Sequence, residues 1–255
     1  MNKSAFCYLV FFCCFLIRCT NSNMTGNIEN GNMPEGLTVT QGECLPDVED
    51  KYVYSIVPGT EEWDSASEEE KNSLSRLPED RIKTLSSYAL IRSLLDIPRL
   101  SLAYSLSSNT SPVVTCDRFI FSKHNSVPEF EERKDRVEAL ISYYAAVSHD
   151  CYESPDVEAQ MTFDIQLRVL EVWFIRDAIL HSMNSVQKRQ TVTLLLQKHE
   201  QKQSYSDATL VAMAWIMYED RYSPIVEYYK DITLSKEYSS FLRDDIISLA
   251  KNFHN

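Results

Sequence analysis

Glycine is the residue that this sequence most conspicuously lacks. Of the 255 residues only five are glycine, and none lies beyond residue 59. They are Gly26, Gly31, Gly36, Gly42 and Gly59. Phosphate-binding loops, dinucleotide-binding turns and nucleophile elbows need glycine at fixed positions, because the backbone there turns sharply or closely approaches a ligand. The sequence therefore excludes these three kinds of catalytic or cofactor-binding motif from most of the chain.

Basic residues are also scarce. The chain has 25 Lys and Arg against 37 Asp and Glu, which gives a formal charge of −12. Nucleic-acid binding and the adsorption of a helix to anionic lipid both require clustered basic residues. We therefore expect no nucleic-acid partner. With 44% apolar and 24% charged residues, the composition is that of a globular protein, neither fibrous nor disordered.

The apolar run near the N-terminus is too short to cross a bilayer. It follows Lys3 and holds thirteen uncharged residues, from Ala5 to Ile17, whereas a membrane span needs about 20. A positive start followed by a short apolar run is typical of a secretory signal. The sequence therefore predicts a signal peptide over residues 1–18. Its removal deletes Lys3 and Arg18 but no acid, so the mature charge becomes −14.

Cys19 stands directly after this run and before a polar, asparagine-rich segment. A cysteine in this position resembles a bacterial lipoprotein signal, in which the cysteine is acylated, for example with palmitate, and becomes the mature N-terminus. Arg18 departs from the small residue usual there, and ordinary cleavage near Ser22 is the alternative. We predict lipidation at Cys19 and a membrane partner through the lipid anchor. The expected location is the outer or inner membrane, facing the periplasm or the cell surface.

Three further cysteines remain in the mature chain. They are Cys44, Cys116 and Cys151, and an exported compartment permits disulfides. Cys116 with Cys151 is the pair that we select for testing. The alternative is that both are small, buried apolar residues.

The remaining chain divides into a tether and a body. Residues 19–50 show no apolar period and hold four of the five glycines, so we predict a flexible tether there. Tyr52, Tyr54 and Ile56 alternate like a strand, but one segment cannot form a sheet. We interpret residues 51–58 as an extended lead-in that lies on an all-helical domain, residues 51–255. Helices are predicted at 60–76, 78–85, 87–96, 98–107, 128–148, 155–183, 186–203, 206–221, 224–231 and 236–253.

Local capping signals support the helical prediction. Thr60 can cap a helix, Ser67 to Glu70 fits a capping box, and proline suits a first helical position because its missing N–H has no helical partner there. The segments 155–183 and 208–218 are apolar most of the way round, which is typical of helices enclosed by others. We therefore predict an all-α fold, an irregular helical bundle or a short helix-hairpin stack, with Trp173 in its core.

Several short motifs resemble a group of uncharacterised Bacteroidetes lipoproteins. They are Pro58-Gly59-Thr60-Glu61-Glu62-Trp63, Leu77-Pro78, LIRSLLDIP from Leu90 to Pro98, FEERKD from Phe130 to Asp135, and Tyr143-Tyr144. The similarity covers roughly residues 54–146. The resemblance implies a Gram-negative envelope and a helical fold, but it supplies no established activity and no catalytic residues. Asp64-Ser65-Ala66 also resembles the short O-glycosylation motif of that phylum, so Ser65 is a candidate glycosylation site.

Two groups of residues are candidates for chemistry or binding. Asp177 and His181 lie four apart in the predicted helix 155–183, where we expect them on its apolar side. A carboxylate can orient an imidazole, but a buried, mutually satisfied pair is the alternative. A tyrosine cluster surrounds Pro224 and could form a binding surface or close the edge of the core. Its members are Tyr218, Tyr222, Tyr228 and Tyr229.

No catalytic residue, cofactor motif or metal motif is predicted, since neither HExxH nor clustered cysteine and histidine occurs. The favoured function is a non-catalytic envelope lipoprotein that binds a protein or glycan partner. The alternative is an enzyme with an unrecognised helical active site, acting on envelope or imported glycans. Two close carboxylates in a deep cleft would favour the enzyme, and a shallow aromatic patch would favour the binding protein.

Overall fold

The computed structural model describes residues 34–40, 43–101, 111–148, 156–201, 206–230 and 243–253. The predicted signal peptide, Cys19 and Cys151 lie outside these ranges. The predicted all-α fold is confirmed. The helices are α1 Glu61–Ser65, α2 Glu68–Leu74, α3 Glu79–Ile82, α4 Ser87–Leu95, α5 Pro112–Cys116, α6 Ser126–Glu132, α7 Arg136–Ala146, α8 Val157–Trp173, α9 Asp177–Leu180, α10 Ser185–Gln201, α11 Asp207–Glu219, α12 Ser223–Tyr228 and α13 Arg243–Asn252. A π-helical turn, Asp117–Phe121, follows α5.

A small β-hairpin element precedes the helices. Strands β1 Leu37–Thr38 and β2 Asp47–Val48 pair antiparallel, with Leu37 opposite Val48. Both of these residues are buried, as are Cys44 and Leu45. The predicted tether boundary at residue 50 is therefore too late, because the described residues from 34 to 50 already belong to the packed body. The apolar residues there follow no regular period, so the sequence pattern did not reveal them.

The first helices start where the capping signals predict. The Thr60 hydroxyl accepts a hydrogen bond from the Trp63 N–H at 3.3 Å. Ser67 and Glu70 form the predicted capping box, with the Ser67 N–H donating to the Glu70 carboxylate at 2.8 Å. The chain is extended at Ala66 and Ser67, so the single helix predicted over 60–76 is two helices, α1 and α2.

Helices α8 and α11 pack against each other at the centre of the fold. Helices α10 and α13 pack on α11, while α4 packs on α6 and α7. Trp173, at the end of α8, is fully buried, and its ring centroid lies 4.7 Å from that of Phe130. The predicted burial of Trp173 is confirmed. Among the described helices, none is both long enough and apolar enough to cross a membrane.

Glu171 is a buried acidic residue of α8. Its side chain is fully buried and accepts hydrogen bonds from three hydroxyl groups. Tyr144 donates to Oε1 at 3.0 Å, and Ser206 and Thr209 donate to Oε2 at 3.1 and 2.9 Å. A buried carboxylate is tolerated only when it is hydrogen-bonded, and these donors satisfy that requirement. Glu171 thus joins α7, the start of α11 and α8 inside the core.

The cysteines correct one prediction. Cys116 is a free, buried thiol, so the pair Cys116–Cys151 is wrong, and the alternative of a small buried apolar residue holds for Cys116. Burial raises the pKa of the Cys116 thiol far above its ordinary value. Cys44 is disulfide-bonded. Its backbone carbonyl accepts a hydrogen bond from the Ser148 N–H at 2.8 Å, which joins the β-hairpin element to the end of α7.

Candidate ligand-binding cleft

The predicted polar pair is exposed rather than buried. Asp177 begins α9 and His181 follows it, and both residues are exposed. His181 Nε2 lies 3.7 Å from the carboxylate of Glu219 on α11. The predicted position on the apolar side of one long helix is wrong, because α8 ends at Trp173 and the helical register does not continue to residue 181. The exposed pair offers no enclosed site for base catalysis.

The four predicted tyrosines differ in exposure and in the aromatic rings that they contact. Tyr222 packs edge-on against Phe253, with ring centroids 5.1 Å apart, and Tyr228 packs likewise against the buried Tyr229 at 4.9 Å. Tyr218 is the exposed member of the group, with 38% of its surface accessible. This arrangement is that of aromatic rings closing the edge of the core, which was the structural alternative.

Ser65 is the last residue of α1 and is exposed, and its hydroxyl donates to the Glu61 carbonyl at 2.9 Å. The serine is thus accessible on the surface, and its glycosylation stays a prediction. Cys19 lies outside the described residues, so its lipidation also stays a prediction.

A cleft of about 420 Å³ lies between the end of α2, the chain after α4 and the π-helical turn. Its described lining residues are Asn72, Ser73, Ser75, Arg76, Ile97, Arg99, Phe119, Ile120, Lys123 and His124. Three of these side chains are basic and none is acidic. We call this site the basic cleft. Its charge is opposite to that of the chain as a whole, which carries −12.

The three basic residues differ in their partners. Arg99 donates to the Asn72 side-chain oxygen at 2.8 Å and to the Glu68 carboxylate at 2.6 Å, so its charge is compensated. Arg76 and Lys123 are both exposed, and within the described part of the chain neither forms an ion pair. The uncompensated positive charge of the basic cleft therefore comes from Arg76 and Lys123.

His124 forms the floor of the basic cleft and is only 4% exposed. Its Nε2 lies 2.7 Å from the Tyr54 hydroxyl, and its Nδ1 lies 2.6 Å from the Ser126 hydroxyl. The Tyr54 hydroxyl donates its own proton to the Ser93 carbonyl at 3.0 Å. This network is satisfied when Nε2 carries the proton and donates to Tyr54, while Nδ1 accepts from Ser126.

The environment keeps this floor uncharged. Burial and the positive charge of Arg76 lower the pKa of His124 to about 3. Burial and the negative charge of Asp96 raise the pKa of Tyr54 above its ordinary value. Both side chains are therefore neutral near pH 7, and the positive potential of the basic cleft arises at its rim.

A second hollow of about 400 Å³ adjoins the basic cleft, and Ser73 and Arg76 line both. The lead-in contributes Tyr52, Tyr54 and Ile56 to the second hollow. The lead-in is irregular rather than a strand, and Tyr54 is buried on the body, as predicted for an extended segment lying there. Arg76 thus lies between the two hollows, and its side chain can contact a ligand in either of them.

Carboxylates gather at a different, more open cleft of about 500 Å³, which is lined in part by Glu43, Asp156 and Glu158. Asp156 caps α8 and accepts hydrogen bonds from the N–H groups of Glu158 and Ala159 at 3.0 and 3.2 Å. Glu43 and Glu158 are exposed. Glycan hydrolysis uses two carboxyl groups that flank the bond to be cleaved, whereas the Asp156 carboxylate in this cleft is engaged as a helix cap. Among the described residues, no group of three or more acidic, histidine or cysteine side chains could hold a metal ion.

No pattern in the sequence indicates the basic cleft. Arg76 comes from a different segment than Lys123 and His124, and the two segments carry no shared motif. No protein-family model matches the chain, and neither a curated protein nor a solved structure shows significant similarity to it. The functional argument therefore depends on the geometry of this site.

Proposed function

We propose that the protein is a lipid-anchored envelope protein whose helical body binds a small ligand in the basic cleft without transforming it. The observation that carries the proposal is the cleft itself, a partly open polar and apolar hollow on an acidic chain, in which Arg76 and Lys123 form no ion pair with the described residues. Its volume of about 420 Å³ falls within the usual range for small-molecule sites, about 300–1,000 Å³.

The side chains of the basic cleft suit binding better than catalysis. A general base works best with a pKa near the working pH, whereas His124 has a pKa of about 3 and both of its ring nitrogens are engaged. The Ser75 hydroxyl donates to the Lys71 carbonyl at 2.7 Å, which does not activate it as a nucleophile. No carboxylate lines this cleft among the described residues. These features support a binding site over an active site.

The disulfide supports the proposed location. Disulfide bonds persist in exported proteins and are rare in reducing compartments, and Cys44 is disulfide-bonded. This bond agrees with the signal-like segment before Cys19. It adds an independent argument for export.

Filling the basic cleft tests the binding proposal. We expect sugars or sugar acids from an envelope-derived panel to raise the melting temperature of the wild-type protein. Ser73→Trp, which places an indole in the cleft mouth, should abolish this shift. Ser65→Trp, on an exposed surface outside the cleft, should retain it. A panel that stabilises the Ser73→Trp variant as much as the wild type would contradict the proposed site.

Detergent partitioning tests the anchor. The wild-type protein should enter the detergent phase and carry acyl groups on Cys19, because two or three chains hold a protein firmly whereas one holds it marginally. Cys19→Ser should release the protein or block its maturation, and Cys116→Ser should behave as the wild type. A soluble wild-type protein whose mature N-terminus is Asn23 would refute the anchor but not the binding site.

A further inference from the structure

We infer that the ligand of the basic cleft carries an oxyanion, a carboxylate, sulfate or phosphate group, which Arg76 and Lys123 bind together at the rim. The inference rests on the proposed binding function and specifies the chemistry of its ligand. It follows from three features of the structure: the charge of the lining, the frame that holds the two cations, and the neutral floor beneath them.

The charge of the lining is the first feature. The chain has an excess of twelve acidic residues, and elsewhere its arginines commonly pair with carboxylates. Such pairs involve Arg92, Arg133, Arg168 and Arg176. Arg76 and Lys123 have no such partner within the described residues, and no acid lines the cleft beside them. A concave site lined by one sign of charge concentrates ligands of the opposite sign.

The second feature is the frame that brings the two cations to the same cleft. Asn125 accepts a hydrogen bond from the Leu77 N–H at 3.0 Å and donates to the Leu77 carbonyl at 2.8 Å. This paired contact joins the residue after Arg76 to a residue two positions after Lys123. Because both hydrogen bonds involve backbone atoms of Leu77, the two segments are fixed in register. The two backbone segments that carry Arg76 and Lys123 are therefore held together before any ligand arrives, which lowers the ordering cost of binding.

The third feature is the neutral, hydrogen-bonded floor. His124 and Tyr54 satisfy each other and remain uncharged, so they neither attract nor repel an anion. Phe119 is half-buried, and together with Ile97 it provides an apolar wall. An arginine guanidinium presents a fork of N–H groups that matches an oxyanion, and lysine adds a point charge. The cleft thus suits a small ligand with an anionic group at the rim and a less polar part against Phe119.

Titration calorimetry on the full mature chain with Cys19→Ser tests this inference. The probes are glucuronate and glucose 6-phosphate, with glucose as the neutral match. We expect one or both anions to bind and glucose to bind at least tenfold more weakly. Arg76→Gln and Lys123→Gln should each weaken anion binding about ten- to a hundredfold, because each substitution removes a positive charge and a hydrogen bond to the anion. The exposed controls Arg81→Gln and Lys83→Gln should bind as the unsubstituted chain.

Co-sedimentation with vesicles distinguishes the two sources of the anion. Binding to phosphatidylglycerol vesicles that requires Arg76 and Lys123, with no binding of the free sugars, would identify a lipid headgroup and support the same anionic chemistry. A different result would be equal binding of glucose and glucuronate that is lost in Ser73→Trp but unchanged in Arg76→Gln. This result would overturn the inferred anionic chemistry, but it would leave the proposed binding function intact. Failure of all free anions and anionic vesicles to bind the cleft would also overturn the inference.

Discussion

His124 is a residue whose ionisation in the range just below neutral pH is strongly altered by the fold. In the folded protein its pKa is about 3, whereas an unfolded chain has a histidine pKa of about 6.5. Above about pH 6.5 both states are neutral at this position, and the stability is unaffected. As the pH falls below that value, the unfolded chain takes up a proton that the folded chain does not, so folding becomes less favourable.

A pH series should reveal this effect. We expect the contribution of His124 to lower the free energy of unfolding by about 2–3 kcal/mol between about pH 6.5 and about pH 4.5. His124→Gln lacks this ionisation, so its stability should fall less steeply over the same interval. Urea unfolding of both proteins at each pH measures the difference and cancels the contribution of the carboxylates. Parallel pH profiles would show that His124 is accessible to protons in the folded state.

Trp173 provides a second test at the residue scale. Its ring is fully buried, in contact with Phe130 and Phe121. Trp173→Ala should therefore lower the free energy of unfolding by about 3–5 kcal/mol, the usual cost of removing an enclosed aromatic side chain. Tyr218→Ala, at an exposed ring, should cost about 1 kcal/mol or less. Denaturant midpoints measure both, and equal losses would contradict the central position of α8.

At the scale of elements, the β-hairpin element and the end of α7 are tied together. The Cys44 carbonyl is bonded to the Ser148 N–H at 2.8 Å, and Cys44 is disulfide-bonded. Cys116 is free, and three other cysteines lie in the predicted signal peptide. Cys151 is only three residues beyond Ser148. We therefore expect Cys151 to be the partner of Cys44.

Peptide mapping without reduction tests this pairing. A cross-linked peptide pair containing Cys44 and Cys151 is expected. Cys44→Ser and Cys151→Ser should each lower the free energy of unfolding by about 2–5 kcal/mol, because the bond would close a long loop. Alkylation of Cys116 should require denaturation, because its thiol is buried. A Cys44–Cys19 cross-link would instead contradict both this pairing and the acylation of Cys19.

The helices also show which elements a sequence can specify by itself. The starts of α1 and α2 were predictable because Thr60 and the Ser67–Glu70 box act through neighbouring backbone groups. The end of α8 at Trp173 was not predictable, since neither glycine nor proline marks it. The β-hairpin element was missed because its stability comes from distant core contacts. The same reason applies to the basic cleft, whose cations lie on distant segments that are joined by the Leu77–Asn125 contact.

At the scale of the whole molecule, the hairpin element moves the start of the folded body towards the N-terminus. Limited proteolysis of the mature protein should trim the polar residues 20–33 and stop before Leu37, which is buried and paired with Val48. Mass spectrometry of the resistant product locates its new N-terminus. A resistant product that begins near residue 51 would show that β1 and β2 do not protect the chain from the protease. A product that begins near residue 128 would show that the helices before that residue are less stable than those after it.

The early burial of Leu37 sets the reach of the proposed anchor. A tether running from Cys19 to residue 50 could extend about 110 Å, at about 3.5 Å per residue. Docking of Leu37 on the core leaves seventeen residues between Cys19 and Leu37, which span at most about 60 Å. The lipid-anchored body could then move only about half as far from the bilayer surface as a tether ending at residue 50 would allow. Ligands for its basic cleft would have to come within that layer to be captured.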